Sequence, residues 1–246
     1  MTRLTYPDIA RIFGTGLIAT GVGLLLFVAI TVVWGDPFTK LSEAGAQDRL
    51  SAQLGEVLTE GEELTDTGGD LDPELTRRAA AAALKSTPLG RSAGRISIPK
   101  IGVRKIIVHG ARDEDLTKGP GLYKETRFPG SGSPIAIAGH RTTYGAPFLH
   151  VDQLKPGNSI IVSMPYGRFT YKVTRTEIIA PNDWSILEYG AAEPTRAARL
   201  AVKRTRQCMG TCEHLVLTAC HPKYSAAKRI AVFARLDKVQ LAGAAA

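Results

Sequence analysis

The sequence predicts a mainly β domain, a sandwich or closed barrel with short helices, preceded by one transmembrane helix and a partly helical stalk. Three observations carry this prediction. An uncharged run of 24 residues lies near the N-terminus, an acidic stretch follows it, and the region after residue 92 holds many short runs rich in Ile, Val, Tyr and Phe. Gly, Pro, Asn or Asp separate these runs, which is typical of strands and turns. Many short strands favour a sandwich or a barrel.

The composition sets broad limits on the class of protein. A chain of 246 residues is longer than one modest domain needs, and its 44% hydrophobic and 22% charged residues are ordinary for a folded protein. The net charge of +8 is uneven, because residues 36–92 hold 11 acidic and 6 basic residues whereas residues 93–246 hold 11 acidic and 23 basic ones. The basic residues form no long run and few aromatics lie among them. A nucleic-acid partner is therefore not expected.

The N-terminal segment predicts a membrane anchor. Residues 12–35 carry no charge, and as a helix they extend about 35 Å, enough to cross a hydrocarbon core of about 30 Å. The run exceeds the apolar region of about 7–15 residues in a signal peptide, and Trp34 closes it as an interfacial aromatic does. Arg3 and Arg11 precede the run, and acidic residues follow it. The positive-inside rule then predicts a single-pass protein of the cell membrane, with residues 1–11 as a cytoplasmic tail and the bulk of the chain outside.

Residues 36–92 predict an extracytoplasmic stalk. Asp72 followed by Pro73 resembles a helix N-cap with proline at the first helical position. The alanine-rich stretch ELTRRAAAAALK then favours a helix, which Pro88 and Gly90 end. For residues 40–70, plain disorder is an open alternative. The folded domain is assigned to residues 93–240, with 241–246 as a short C-terminal tail. Short helical pieces are expected at residues 113–118, 145–154 and 195–202.

Cys220 is the favoured nucleophile among three cysteines. It ends the predicted strand EHLVLTAC, in which His214, Val216, Thr218 and Cys220 share one face. The loop HPKYSAAK follows, and a new strand begins near Arg229. If the two strands form a hairpin, Arg229 lies beside Cys220, where a guanidinium would favour the thiolate and stabilise an oxyanion. A solvated arginine at a strand end is the open alternative.

His140 is the favoured proton acceptor for this thiol, which needs one. It follows the apolar run at residues 135–138 and begins a polar loop, and catalytic groups often lie where a rigid strand meets a loop. A purely structural histidine is the alternative, since spacing along the sequence leaves open whether His140 reaches Cys220. The other four histidines offer less context or an unsuitable spacing: His109, His150, His214 and His221.

Several short motifs together resemble a known family. The ordered set IPKIGV, GPGLY, IAGHRTTYGAPF, LTACHP and KRIAVF resembles the bacterial sortases over about residues 93–240. The stretch AGHRTTYGAPF with CHP most resembles the class E sortases of high-GC Gram-positive bacteria. The N-terminal anchor and stalk are also similar to the usual layout of this family.

The resemblance implies an eight-stranded sortase barrel and a cysteine transpeptidase that needs no cofactor and no metal. It implies Cys220 as the nucleophile, His140 as the general acid/base and Arg229 as the oxyanion and substrate-positioning group. The expected partners are secreted proteins with a C-terminal sorting signal of the LPxTG or LAxTG type, cleaved after threonine. The acyl group then passes through a thioacyl enzyme to an amine of a peptidoglycan precursor or pilin.

Four residues are candidates for the substrate side of such a site. Tyr123 in GPGLY and Tyr144 in HRTTYG stand where class E sortases have tyrosines, although a half-buried barrel or loop aromatic is an equal alternative. Thr218 and Ala219 precede the nucleophile, and Ala219 stands where the family pattern TLxTC has threonine. The resemblance therefore leaves the exact signal preference open.

Cys208 and Cys212 frame a short Met-Gly-Thr loop before the Cys220 strand. Outside the cell they are expected to form a disulfide that leaves Cys220 as the single thiol. A zinc site with His214, for which the spacing is poor, and two free thiols are the alternatives.

One alternative function comes from a different class of protein. A membrane-anchored wall-binding or scaffold protein with a catalytically weak sortase fold would use the basic domain surface to hold anionic polymers. The presence of Cys220, His140 and Arg229 together favours the enzyme. A wall transpeptidase acting on peptidoglycan stems is disfavoured, because the chain has no HG…SxGC signature.

Overall fold

A computed structural model describes residues 6–34, 37–55, 64–65, 73–183 and 213–242. The chain divides into two units, Met1–Phe38 and Thr39–Ala246. Cys208, Cys212 and the short helix expected at residues 195–202 lie outside the described residues.

The first unit is dominated by helix α1 (Tyr6–Trp34). Within α1, Arg11–Ala29 is long and apolar enough to cross a membrane, with a mean hydropathy of 2.2. A single helix of this kind is compatible with the predicted anchor at residues 12–35, whose orientation stays a prediction.

The second unit holds nine strands and most of the helices of the described chain. The helices are α2 (Pro37–Leu54), which begins two residues before the unit boundary, α3 (Pro73–Ser86) and α4 (Asp113–Leu116), with 3-10 turns at Pro99–Ile101 and Val151–Gln153. The strands are β1 (Leu64–Thr65), β2 (Ser92–Ile98), β3 (Val103–His109), β4 (Gly121–Leu122), β5 (Ile135–Ala138), β6 (Ser159–Met164), β7 (Gly167–Ile179), β8 (His214–His221) and β9 (Lys228–Ala242).

Eight of these strands close into a barrel in the order β9-β7-β6-β2-β3-β4-β5-β8, and β8 pairs again with β9. The β3–β4 and β5–β8 pairs are parallel, and the others are antiparallel. The short β1 adds to β9 through Leu64 and Thr65. Closure satisfies the strand edges that an open sheet would leave exposed. The predicted mainly β, eight-stranded barrel is thereby confirmed.

Alternating side chains fill the barrel. In β6, Ile160, Val162 and Met164 are buried while the residues between them are half-exposed, as the pleat of a strand requires. Strand β8 is covered on both faces instead. Leu215 and Leu217 enter the main core, whereas Val216 packs with residues of β9 in a separate cluster.

Helices α2 and α3 lie in the segment that the sequence assigns to a stalk. Both are packed against the barrel rather than solvated all round, because Leu50 and Leu54 of α2 join a cluster with Ile106 and Val108. Ala80 of α3 belongs to the main core. For residues 40–54 the structure therefore favours helix over the open alternative of disorder.

Candidate active site

Cys220 and Arg229 are direct partners across the β8–β9 hairpin. The register pairs the two Cα positions, next to the pairs Ala219↔Ile230 and His221↔Lys228. Residues directly opposite in an antiparallel pair project to the same face of the sheet. The hairpin expected from the sequence is present, and it brings the guanidinium side chain to the thiol's face.

The segment that carries His140 lies along the other side of β8. Strand β5 runs parallel to β8 with Ala138 opposite Thr218, and the backbone N–H of Gly139 donates to the carbonyl of Thr218 at 3.0 Å. His140 follows two residues after the end of β5, Cys220 lies near the end of β8, and Arg229 lies near the start of β9. These three strands are adjacent in the barrel.

The side chains of Cys220 and Arg229 lie on the outer face of the barrel. Leu217 and Ala219 belong to the main core, so their neighbours Thr218 and Cys220 project the opposite way. Ala219 is only 3% exposed, and its methyl group faces the barrel interior. The structure therefore does not bring this predicted substrate-binding side chain to the thiol's face.

His140 is half-buried and stacks against Tyr144. The ring centroids are 4.9 Å apart with an interplanar angle of 37°. Its Nε2 is buried and has no hydrogen-bond partner among the described residues, which is unusual for a buried nitrogen. Burial lowers the pKa of His140 below its ordinary value of 6.5, and the negative charge of Asp113 opposes this shift.

The 144–146 turn that carries Tyr144 is strained. Tyr144, Gly145 and Ala146 all have positive φ values, of 48°, 69° and 44°. Such a conformation costs a non-glycine residue about 1–3 kcal/mol and persists only when its surroundings hold it. Here the N–H of Ala146 donates to the carbonyl of Thr143 at 2.8 Å, and that of Tyr144 donates to Oγ1 of Thr39 at 3.0 Å. The position of the Tyr144 ring therefore depends on Thr143 and Thr39, which accept hydrogen bonds from the turn.

The guanidinium of Arg229 is anchored by the loop between β8 and β9. Its Nη1 donates to the carbonyls of Ala226 at 2.9 Å and Lys228 at 3.0 Å. These bonds use one nitrogen of a group with five N–H donors.

Arg141 is a site residue that the sequence interpretation missed. It is 3% exposed, and its Nη1 donates to the carbonyl of Cys220 at 3.3 Å and to Nδ1 of His221 at 2.9 Å. Its Nη2 pairs with Asp152 at 3.1 Å. A guanidinium buried beside Cys220 joins the His140 loop to the Cys220 strand. The only sequence signal was its adjacency to His140.

Tyr123 and Thr218 form a pair on the same face as the thiol. The phenol and the Oγ1 of Thr218 are 3.0 Å apart and hydrogen-bonded. Thr218 is buried, at 2% exposure, whereas Tyr123 is half-buried. Thr218 lies two residues before Cys220 in β8, and Tyr123 is hydrogen-bonded to it.

Three of the other histidines contact or pair with residues other than Cys220. Nδ1 of His109 bonds the carbonyl of Thr87 at 2.7 Å, and exposed His150 contacts Gln153. His214 lies at the far end of β8, opposite Arg235. Among the described residues no group of three or more His, Cys, Asp or Glu side chains is arranged to hold a metal ion. Cys220 forms no disulfide within that same part of the chain.

Comparison with known proteins points to one family. Residues 96–237 match the family model of the sortase domain. Sortase D of Bacillus subtilis is 31% identical over 133 residues, which are 54% of this chain and 56% of that protein. Sortase SrtE1 of Streptomyces coelicolor is 24% identical over 235 residues, 92% of this chain and 57% of that protein. The chain thus spans little more than half the length of both relatives.

A solved structure agrees in fold. Sortase C of Clostridium perfringens with the C-terminal cell wall sorting motif superposes with a TM-score of 0.57 at 17% identity, covering 78% of this chain and 98% of that one. The family-model match takes in β3 to β8 and parts of β2 and β9, including the strand ends that carry His140, Cys220 and Arg229. This chain belongs to the sortase family.

Proposed function

We propose that this protein is a membrane-anchored cysteine transpeptidase that cleaves an LPxTG- or LAxTG-like sorting signal after threonine. It then transfers the acyl group to an amine of a cell-wall precursor or pilin. The observation that carries the proposal is that Arg229 lies directly across from Cys220, while β5, whose chain continues into His140, runs along the other side of the Cys220 strand. A nucleophile, a proton carrier and an oxyanion donor are the groups that acyl transfer needs.

In the first step the Cys220 thiol gives its proton to His140, and the resulting thiolate attacks the threonine carbonyl carbon of the bound signal. A C–S bond forms, the carbonyl electron pair moves to oxygen, and Arg229 donates hydrogen bonds to the resulting oxyanion. When the carbonyl re-forms, the C–N bond to the next residue breaks. The leaving amine takes its proton from His140.

The second step reverses the proton transfer. An incoming amine loses a proton to His140 as it attacks the thioacyl carbon, and the C–S bond breaks to return the Cys220 thiolate. Burial, which lowers the pKa of His140, leaves most of this imidazole neutral near pH 7 and so able to accept that proton.

Two lines of support bear on the substrate. The similarity to SrtE1 extends over 92% of this chain, which supports a class E type of sorting signal. The Clostridium perfringens neighbour was solved with a cell wall sorting motif, which supports a peptide of this class. The Tyr123 and Tyr144 rings, close to Thr218 and His140, are proposed to contact the signal on either side of the thiol.

The proposed location follows from α1. Its apolar stretch Arg11–Ala29 supports a single-pass anchor, and Arg3 and Arg11 support a cytoplasmic N-terminus with the barrel outside. For an extracytoplasmic barrel we also propose the Cys208–Cys212 disulfide. Mass mapping of peptides from the unreduced protein tests it, and two alkylated thiols at these positions would exclude the bond.

The test of function is capture of the thioacyl enzyme. The full chain in detergent micelles is incubated with fluorogenic LAxTG and LPxTG peptides, with and without an amine acceptor, and analysed by intact mass. We expect cleavage and a Cys220-linked acyl adduct in the wild type, and neither in Cys220→Ala with its fold intact by circular dichroism. Equal cleavage by Cys220→Ala would reject the mechanism. Retention of anionic wall polymers without turnover by the wild type would favour the scaffold alternative.

A further inference from the structure

Helix α2 is hydrogen-bonded to the barrel through a half-buried glutamine. Gln47 donates from Nε2 to the carbonyls of Ile106 at 3.1 Å and Lys118 at 2.7 Å. Its Oε1 accepts from the N–H of Ile106 at 2.7 Å. One side-chain amide therefore bonds both backbone groups of one β3 residue, as a neighbouring strand would. This pairing fixes the helix at one height along β3.

Two further contacts secure the same helix. Leu50 and Leu54 are each 4% exposed and pack on Ile106 and Val108. Together with Gln47 they show that α2 is docked by polar and apolar contacts at once. Hydrogen bonds are directional, so they fix the position of the helix along β3, which apolar contacts alone would leave variable.

The N-terminal half of α2 carries a buried carboxylate at the catalytic loop. Glu43 is 1% exposed and pairs through both oxygens with Nζ of Lys105, at 2.7 Å each. A Cβ added to Gly145 would lie 2.5 Å from Oε2 of Glu43. The strained 144–146 turn therefore packs directly on this carboxylate.

Thr39 completes the contact, because its Oγ1 accepts the N–H of Tyr144 at 3.0 Å. Thr39, Glu43, Gln47, Leu50 and Leu54 are spaced by three or four residues, so they form one face of the helix. The two ends of α2 contact different parts of the barrel. Residues 47–54 pack on β3, whereas residues 39 and 43 contact the turn that carries Tyr144.

We propose that α2 is a working part of the active site, in which Thr39 and Glu43 are positioning residues for His140. They hold the 144–146 turn in its left-handed conformation, and that turn keeps the Tyr144 ring stacked on the imidazole. The proposal rests on the proposed function, because that function makes His140 the proton carrier. It adds that the reaction depends on the helix that directly follows α1 in the chain.

The chemistry at Thr39 allows a sharp test. Thr39→Val keeps the shape of the side chain but removes the acceptor for Tyr144, whereas Thr39→Ser keeps the acceptor. Ser42→Ala is the matched control, because that exposed hydroxyl bonds only to the carbonyl of Thr39 within its own helix. All variants are made in the full chain and compared in detergent micelles.

Peptide cleavage is measured as kcat and KM, and folding by the melting temperature. We expect Thr39→Val to lower kcat by roughly fivefold or more with KM nearly unchanged, since one hydrogen bond is lost from the turn behind the proton carrier. Thr39→Ser and Ser42→Ala should keep the wild-type kcat. An unchanged kcat in Thr39→Val, or a Thr39→Ser variant as slow as Thr39→Val, would overturn the proposal.

A second readout separates this proposal from the proposed function. The rate at which iodoacetamide alkylates Cys220 depends on the paired imidazole but needs no sorting signal. We expect Thr39→Val to slow or speed this rate by at least about threefold while Thr39→Ser matches the wild type. If the wild type cleaves no peptide, the proposed function fails and alkylation still decides the role of Thr39. Equal alkylation rates in wild type and Thr39→Val would contradict the proposal that Thr39 of α2 positions His140.

Discussion

The guanidinium of Arg141 donates a hydrogen bond to the carbonyl oxygen of Cys220, at 3.3 Å from Nη1. The residue next to the proposed proton carrier thus touches the backbone of the proposed nucleophile. The same Nη1 bonds Nδ1 of His221. One buried side chain thus joins a loop to a strand residue 79 positions away in sequence.

Arg141→Lys is expected to lower kcat by roughly tenfold, because a hydrogen bond from a charged donor contributes about 1.5–3 kcal/mol and an ammonium has no fork to serve both acceptors. Asp152→Asn is the control, since its carboxylate is 41% exposed and its pair with Arg141 should contribute little. Steady-state kinetics of peptide cleavage check both variants. Similar losses in the two would assign the effect to the ion pair instead of the contact with Cys220.

The Tyr123–Thr218 hydrogen bond is expected to stabilise the fold by about 1 kcal/mol. A double-mutant cycle of Tyr123→Phe and Thr218→Val, measured by urea unfolding, isolates that coupling. If Tyr123 also contacts the sorting signal, Tyr123→Phe raises KM more than Thr218→Val does. A coupling energy near zero would mean that the two hydroxyls do not interact in solution.

His140 should titrate below its ordinary pKa of 6.5, because burial disfavours the imidazolium. The folded chain then binds fewer protons at His140 than the unfolded chain. Its contribution to stability is complete above pH 6.5 and is lost as the pH falls through the folded-state pKa. NMR titration of the His140 ring protons measures this directly.

Asp113→Asn should lower the pKa of His140 further, since the carboxylate favours the charged imidazole. The exposed Glu125→Gln variant controls for a general change in net charge. An upward shift in Asp113→Asn would contradict the electrostatic account.

Glu213 predicts a pH dependence of stability with the opposite sign. Its buried carboxyl accepts hydrogen bonds from the N–H groups of Gly130 and Gly132 and from the hydroxyl of Tyr171. Burial nevertheless raises its pKa from 4.5 to about 7. The folded chain therefore binds more protons than the unfolded chain, and this contribution, on the order of 3 kcal/mol, is complete below pH 4.5 and lost as the pH rises through 7.

Urea unfolding of wild type and Glu213→Gln from pH 4 to 8 checks this expectation. The variant should lose overall stability, because the amide cannot accept from every donor, but its stability should fall less steeply between about pH 4.5 and 7. Equal slopes in the two proteins would show that Glu213 stays ionised when folded.

Much of the site was accessible from the sequence because its elements are local. The Cys220–Arg229 pairing follows from two strands joined by a short loop, so the hairpin register could be anticipated. The strands that became β6, β7, β8 and β9 carry period-two patterns or continuous apolar runs that indicate them directly. By contrast, β1 and β4 have two residues each, too few for a pattern to reveal.

The sequence by itself predicted the apolar N-terminal helix, the longer barrel strands and the pairing of Cys220 with Arg229, because periodicity and hairpin geometry act over short stretches of chain. Only the tertiary structure decided that the strand leading to His140 runs beside the Cys220 strand, since that depends on a parallel β5–β8 pairing between distant segments. It also decided that Ala219 faces the core and that α2 docks beside Tyr144. These outcomes depend on which faces meet when the barrel closes, and a one-dimensional pattern of residues does not carry that register.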